Sequence, residues 1–285
     1  MNTYNNSKKE QLIKVFQDTE RYFIKFKNEI DFSLENTKIY KEIDTPKIKS
    51  RYSESAKISV NKYRTIESAQ YYKKKNPNLR IGILNFASAT NPGGGVLKGS
   101  SAQEECICRV STLYPVLANS EENKMRFYNY HRNLKSNLYS DRVIYSPDIL
   151  VFKSDNSIPS YLPEKNHFKI DVITCAAPNL NRKPNQEMNP EIMRFKKLSE
   201  TELYDIHYYR GKQILSVANE NNIDILILGA FGCGAFRNNP YIVAEAYRRV
   251  IEDLFLYSFK EISFSIFYSN ESSKENYTVF KEILS

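Results

Sequence analysis

Three consecutive glycines, Gly93, Gly94 and Gly95, stand seven residues before the run Gln103-Glu104-Glu105. Such a glycine run serves neither a core nor a helix. It lets backbone approach another group closely and presents bare N–H donors. Two adjacent carboxyl groups just beyond it put acid chemistry beside that approach. The combination suggests a sugar-phosphate ligand, with amides for the phosphate and a carboxyl to move a proton. A second glycine-rich segment, residues 229–236, leads through Arg237-Asn238-Asn239 into Pro240. Its amides too can cradle a phosphate at a strand-to-helix turn. No Lys-Ser or Lys-Thr follows it, and its spacing is not Gly-x-Gly-x-x-Gly, so it is no P-loop of an NTPase and no dinucleotide fingerprint.

Neighbouring residues on a helix point about 100° apart, so Glu104 and Glu105 cannot flank a bond from opposite faces. This argues against the usual pair of opposed glycosidase carboxylates. It allows a division of labour, one carboxyl holding ligand hydroxyls and the other handling a proton. An acid that must be protonated at neutral pH needs burial or a neighbouring carboxylate, and this pair offers both if the side chains converge.

The elements that position these residues follow from periodicity and breakers. Leu12, Val15, Phe16, Phe23, Phe26 and Ile30 recur close to every 3.6 residues and predict a helix over 8–30. Residues 36–51, with Pro46, read as a connector. A short strand is expected at 57–60, then a helix from Thr65 as N-cap to about Lys75, ended by Asn76-Pro77-Asn78. Residues 80–86 read as a buried strand. A helix is expected over 103–117, limited by Pro115, and another over 125–138. Strands follow at 142–145 and 149–152 around Ser146-Pro147, and at 169–174. Residues 179–190 read as an Asn- and Pro-rich loop. A long helix over 199–219, a strand at 223–228, a helix over 240–256 with Pro240 near its start, a strand at 262–268 and a short helix over 277–284 complete the chain. Alternating strands and helices with long connections predict an α/β sandwich with a mostly parallel sheet. Ligands in such folds sit beyond the C-terminal ends of the strands, so the two glycine segments are expected to converge on one cleft.

Bulk properties narrow the field. The chain has 285 residues, 41% hydrophobic and 26% charged, an ordinary globular composition. No apolar run reaches the length of a membrane span, and the polar first nine residues lack a signal core, so neither a membrane nor secretion is expected. Cys106, Cys108, Cys175 and Cys233 fit no zinc spacing, and the three histidines are scattered. Free thiols and no metal are expected. The net charge of +8 suits a polyanion; with no DNA- or RNA-binding motif beside it, direct nucleic-acid binding is not expected.

The glycine–glutamate signature resembles that of the microbial-type poly(ADP-ribose) glycohydrolases. So do its flanks, Leu84-Asn85-Phe86-Ala87-Ser88-Ala89-x-Asn91-Pro92 before it and Arg109-x-Ser111-x-Leu113-Tyr114 after it. Tyr145-Ser146-Pro147, the run from Val172 to Asn179, and the run from Leu226 to Pro240 extend the resemblance from about Leu12 to the C-terminus, essentially the whole chain. It implies a macrodomain-like three-layer α/β/α sandwich with a mixed, mostly parallel sheet, residues 51–285 forming the catalytic domain and residues 1–50 an N-terminal helical extension. It implies hydrolysis of the ribose–ribose O-glycosidic bond of poly(ADP-ribose), releasing ADP-ribose from polymer ends, by a cytoplasmic monomer (or a nuclear one, if the source is eukaryotic), without metal or cofactor. Glu105 is then the acid/base, Glu104 holds the leaving ribose, and Gln103 supports the loop. Gly93, Gly94 and Gly95 on one side and Gly232, Cys233, Gly234, Ala235 and Phe236 on the other embrace the diphosphate. Phe236 packs on the distal ribose, Asn91 touches ribose, and Ile66 and Glu67 lie at the adenine end. Two alternatives keep the fold: a non-catalytic ADP-ribose-binding module, which the intact Gln103-Glu104-Glu105 argues against, and a hydrolase removing single ADP-ribose units from proteins.

Overall fold

The computed structural model describes residues 2–42, 46–181, 195–269, 271 and 274–285. The helices are α1 (Asn2–Lys25), α2 (Lys27–Glu35), α3 (Thr65–Lys75), α4 (Gln103–Val110), α5 (Leu113–Ala118), α6 (Glu121–Asn123), α7 (Tyr130–Leu134), α8 (Glu200–Glu220), α9 (Pro240–Val250) and α10 (Glu275–Leu284). The strands are β1 (Lys38–Tyr40), β2 (Lys57–Asn61), β3 (Ile81–Phe86), β4 (Val143–Val151), β5 (Phe168–Cys175), β6 (Ile225–Leu228) and β7 (Glu261–Ser265). They form one sheet in the order β1-β4-β5-β3-β6-β7-β2. The five strands from β5 to β2 run parallel, and β4 is antiparallel to both its neighbours.

Side-chain alternation along the strands builds the layers. In β6, Ile225 and Ile227 face one core with α3, α4, α5 and the N-terminal helices. Leu226 and Leu228 face the other, against α8, α9 and α10. Both faces of the sheet are therefore dry, as a mainly parallel sheet requires. The three-layer, macrodomain-like sandwich expected from the sequence is the observed one, with α1 leading the chain.

Several local readings change. Residues 38–40 are no connector: they form β1, an edge strand registering Ile39 against Ile144. Thr65 is the first residue of α3 rather than its N-cap, which is Arg64. Pro115 does not end a helix. It sits in the first turn of α5, where a missing N–H costs nothing, and the break falls at Ser111-Thr112. The helical stretch expected over 125–138 starts earlier, at α6, passes through a π-helical turn (Lys124–Asn129) and ends with α7. The two strands around Pro147 are one strand. A bulge between Ser146 and Ile149 takes Pro147, which has no N–H for the ladder, out of register. Asp148 turns there with φ 53 and donates its amide to Asp171 at 3.1 Å. The loop expected over 179–190 lies outside the described residues from 182 onward.

The N-terminal helix is bonded into the body of the fold. Phe16 shares the core of α4 and α5 and meets Tyr114 edge-on at 5.0 Å. Thr19 Oγ1 donates to the Arg109 carbonyl at 2.6 Å. Lys153, its side chain 1% exposed, donates to the Val15 carbonyl at 3.1 Å and to Asp18 at 2.7 Å. Among the described residues no helix is long and apolar enough to cross a membrane.

Candidate functional site

A cleft of about 400 Å³ opens beyond the C-terminal ends of β3, β6 and β7, within the range of small-ligand sites. Its walls are the end of β3 (Phe86 to Ser88), the first turns of α4 (Ser101 to Ile107), most of the segment after β6 (Ala230 to Gly232, Gly234 to Phe236) and the residues after β7 (Ile266, Phe267).

Glu104 and Glu105 occupy the first turn of α4, each 3% exposed, where carboxylates also complement the helix dipole. Glu105 Oε1 accepts the Gly95 amide at 2.8 Å, while its Oε2 is buried and meets no hydrogen-bond partner among the described residues. Glu104 Oε2 accepts the Ser88 amide at 2.7 Å and its Oε1 the Asn85 amide group at 3.3 Å. The two side chains do converge. A Cβ placed on Gly94 would lie 2.5 Å from Glu105 Oε1 and 3.0 Å from Glu104 Oε2. Burial, then the charge of Glu105, pushes the Glu104 carboxyl up to about 8, against bonds from Ser88, Asn85 and Gly93 that pull it down. Glu104 therefore keeps its proton at neutral pH. The buried histidines offer no competing acid: burial brings His131 down to about 3 and His207 to about 4.

The two glycine segments meet the site differently. Gly94 donates its amide to the Asn91 carbonyl at 2.9 Å, Gly95 donates to Glu105, and Gly93 bonds Glu104. Gly93, Gly94 and Gly95 lie behind the carboxyls and do not line the cleft. Asn91 is built into the same turn, its amide donating to Ser88 Oγ at 3.2 Å. In the second segment Gly232, Gly234, Ala235 and Phe236 all line the cleft. Gly232 has φ +78, and the loop is anchored from behind by Asn238, which donates to the Gly232 carbonyl at 3.0 Å and the Pro178 carbonyl at 2.8 Å. The amides of Gly234, Ala235 and Phe236 donate to nothing among the described residues. Cys233 turns away, its thiol on the Phe231 carbonyl and pushed up by burial. Phe236 packs on Tyr139, with ring centroids 6.3 Å apart.

Gln103 ties three elements together. It accepts the Phe86 amide at 2.8 Å and donates to the Leu84 carbonyl at 2.7 Å and to Thr65 Oγ1 at 3.1 Å. Ile66 is 2% exposed and Glu67 accepts the Arg64 amide at 3.2 Å; both line an adjoining groove rather than the cleft.

Sequence reasoning missed three groups. Asp155, half-buried where cleft and groove meet, accepts the Ile66 amide at 3.1 Å and so caps α3 from another element. Arg64 stacks on Phe267, its guanidinium carbon 3.9 Å from the ring centroid, at the cleft wall. Asn276, at the start of α10, also lines the cleft. None carries a local motif, because each works across 89 or more residues of chain or by exposure alone. Among the described residues no cluster of His, Cys, Asp and Glu could hold a metal ion.

The family model for the microbial-type PARG catalytic domain matches residues 10–154, just over half of the chain and all of the signature. No curated protein matches the sequence. The crystal structure of a poly(ADP-ribose) glycohydrolase from Thermomonospora curvata, bound to the inhibitor ADP-HPD, is 24% identical, covers 96% of this chain and 99% of its own, and has a TM-score of 0.79, a likeness of fold. That of the poly(ADP-ribose) glycohydrolase from Deinococcus radiodurans in complex with ADP-ribose is 28% identical over 90% of this chain and 96% of its own, with a TM-score of 0.74. With both glutamates inside the matched stretch and the fold shared nearly end to end, the chain belongs to the microbial-type poly(ADP-ribose) glycohydrolase family.

Proposed function

We propose that this protein hydrolyses the ribose–ribose O-glycosidic bond of poly(ADP-ribose) and that Glu105 is its acid and base. The observation that carries the reading is Glu105 Oε2: a buried carboxyl oxygen without a partner, beside a ligand-sized cleft. Buried polar atoms are seldom left unpaired unless they have chemistry to do. The carboxyl O–H of Glu105 gives its proton to the leaving ribose oxygen as the C1–O bond breaks and positive charge develops on the sugar ring. The resulting carboxylate takes a proton from the water whose oxygen bonds C1. Glu104, held by Ser88 and Asn85, orients ribose hydroxyls and holds a proton beside Glu105 at neutral pH.

The undonated amides of Gly234, Ala235 and Phe236 form a nest for the diphosphate. Phe236 supplies the apolar surface under the distal ribose. Gly93, Gly94 and Gly95 take part through the glutamates they shape. A cleft with room for one nucleotide-sized unit favours removal of ADP-ribose from polymer ends by a single chain.

The test is a time course of defined polymer with wild type and Glu105→Gln, analysed by product length. Wild type should release ADP-ribose while the polymer shortens gradually, and the variant should lose about 10²- to 10⁴-fold in rate, the usual worth of a general acid–base. A Glu105→Gln protein that cleaves at the wild-type rate overturns the assignment.

A further inference from the structure

Arg109 is among the largest side chains that the fold buries completely. A guanidinium taken out of water is costly unless its donors are met. Here Nη2 donates to the Ser100 carbonyl, while Nε and Nη1 meet no oxygen or nitrogen partner among the described residues. Around it lie the Glu105 carboxyl and two thiols that burial keeps neutral, Cys106, which bonds it, and Cys108, and burial pulls the Arg109 guanidinium down from its ordinary value. Hydrophobic replacement of such a group would often cost nothing, so stability does not explain it.

Its connections lead to Glu105. The two residues are one helical turn apart on α4, on the same face. Ser100, whose carbonyl Arg109 holds, donates its own amide to the Gly95 carbonyl at 3.1 Å. The Gly95 amide in turn donates to Glu105 Oε1 at 2.8 Å. On the far side, the Arg109 carbonyl accepts Thr19 Oγ1 of α1. A continuous path of hydrogen bonds thus runs from the N-terminal helix to the reacting carboxyl.

We infer that Arg109, steadied from behind by α1, is a positioning residue for Glu105: it fixes the turn over residues 95–100 whose amide sets the orientation of the carboxyl. The inference rests on the reading of Glu105 as the acid. It gives the N-terminal helix a part in the chemistry beyond covering one face of the core.

Full-length Arg109→Met and Arg109→Lys decide it, compared with wild type by polymer hydrolysis, ADP-ribose binding in a calorimeter and thermal melting. Arg109→Met should lower kcat about 100-fold, the loss that an ångström of misplacement brings, with KM and ADP-ribose affinity near wild type. Arg109→Lys, whose ammonium can still donate to the Ser100 carbonyl as a point charge, should recover about 10-fold of that loss. Unchanged kcat in Arg109→Met, or kcat and ADP-ribose affinity lost together with no recovery in Arg109→Lys, overturns the inference. If Arg109→Met does not fold, Arg109→Lys alone decides: a lowered kcat at unchanged KM supports the role and an unchanged kcat overturns it. A wild type that leaves polymer intact is a separate result, which removes the glycohydrolase reading and this inference with it.

Discussion

The two glycine-rich segments face opposite ways. Gly93, Gly94 and Gly95 turn inward, every amide bonded within the protein, with two carboxyl oxygens pressed where a Gly94 side chain would be. Gly234 turns outward, and a Cβ built on it would meet nothing within 4 Å. The first segment lacks side chains to make room for two buried carboxyls. The second lacks one where the protein itself needs no room, on the face that lines the cleft. A glycine run marks a close approach, but only its surroundings say what approaches.

Substitutions on each side test that contrast. Gly94→Ala should have the largest effect, because it combines φ +58 with a Cβ 2.5 Å from Glu105 Oε1. We expect kcat to fall about 100-fold or more, together with a lower melting temperature. Near-normal kcat would mean that the carboxyls do not depend on the inward turn.

Glu104→Gln comes next, read by urea unfolding across pH. Glu104 ionises at about 4.5 in the unfolded chain and at about 8 in the folded one. Below 4.5 both states hold the proton. From there to about 8 the unfolded chain loses it and the folded chain keeps it, so wild-type stability falls as pH rises and levels off above 8. The variant cannot ionise and should gain about 4 kcal/mol on wild type between pH 5 and pH 9. A pH-independent difference would place the raised titration elsewhere.

Gly234→Ala should have the smallest effect on the fold and a clear one on binding. Stability should stay within about 0.5 kcal/mol of wild type, as for surface changes that touch nothing. ADP-ribose affinity should weaken about 10-fold in a calorimeter, equivalent to about 1.4 kcal/mol. Unchanged affinity would leave the outward loop without its ligand.

Much of this was legible in the chain. The apolar runs of β3 and β6 gave away a sheet buried on both faces, and the adjacent glutamates with their glycines marked the carboxyl pair at the cleft. What stayed hidden was non-local. β1 is three residues long, too short for a period, and exists because β4 offers it an edge. β4 read as two strands because Pro147 breaks the pattern that Asp171 repairs by holding the Asp148 amide. Asp155 resembles any loop acid until α3 arrives at its carboxylate. The inward direction of Gly94 is likewise set by Glu104 and Glu105, and not by Gly94's immediate neighbours.

The attachment of α1 also bears on how the molecule comes to be. Its partners, Arg109, Tyr114 and Lys153, lie roughly 90 to 140 residues further along. In a chain synthesised from its N-terminus, the first helix is finished long before anything exists for it to hold. Phe16, 1% exposed in the finished fold, must wait uncovered, a stage at which such surfaces invite aggregation. Contacts this distant form late and slow the search for the native state. The helix that carries Glu104 and Glu105 therefore gains its α1 contacts only after an earlier-made helix has docked onto much later parts of the chain.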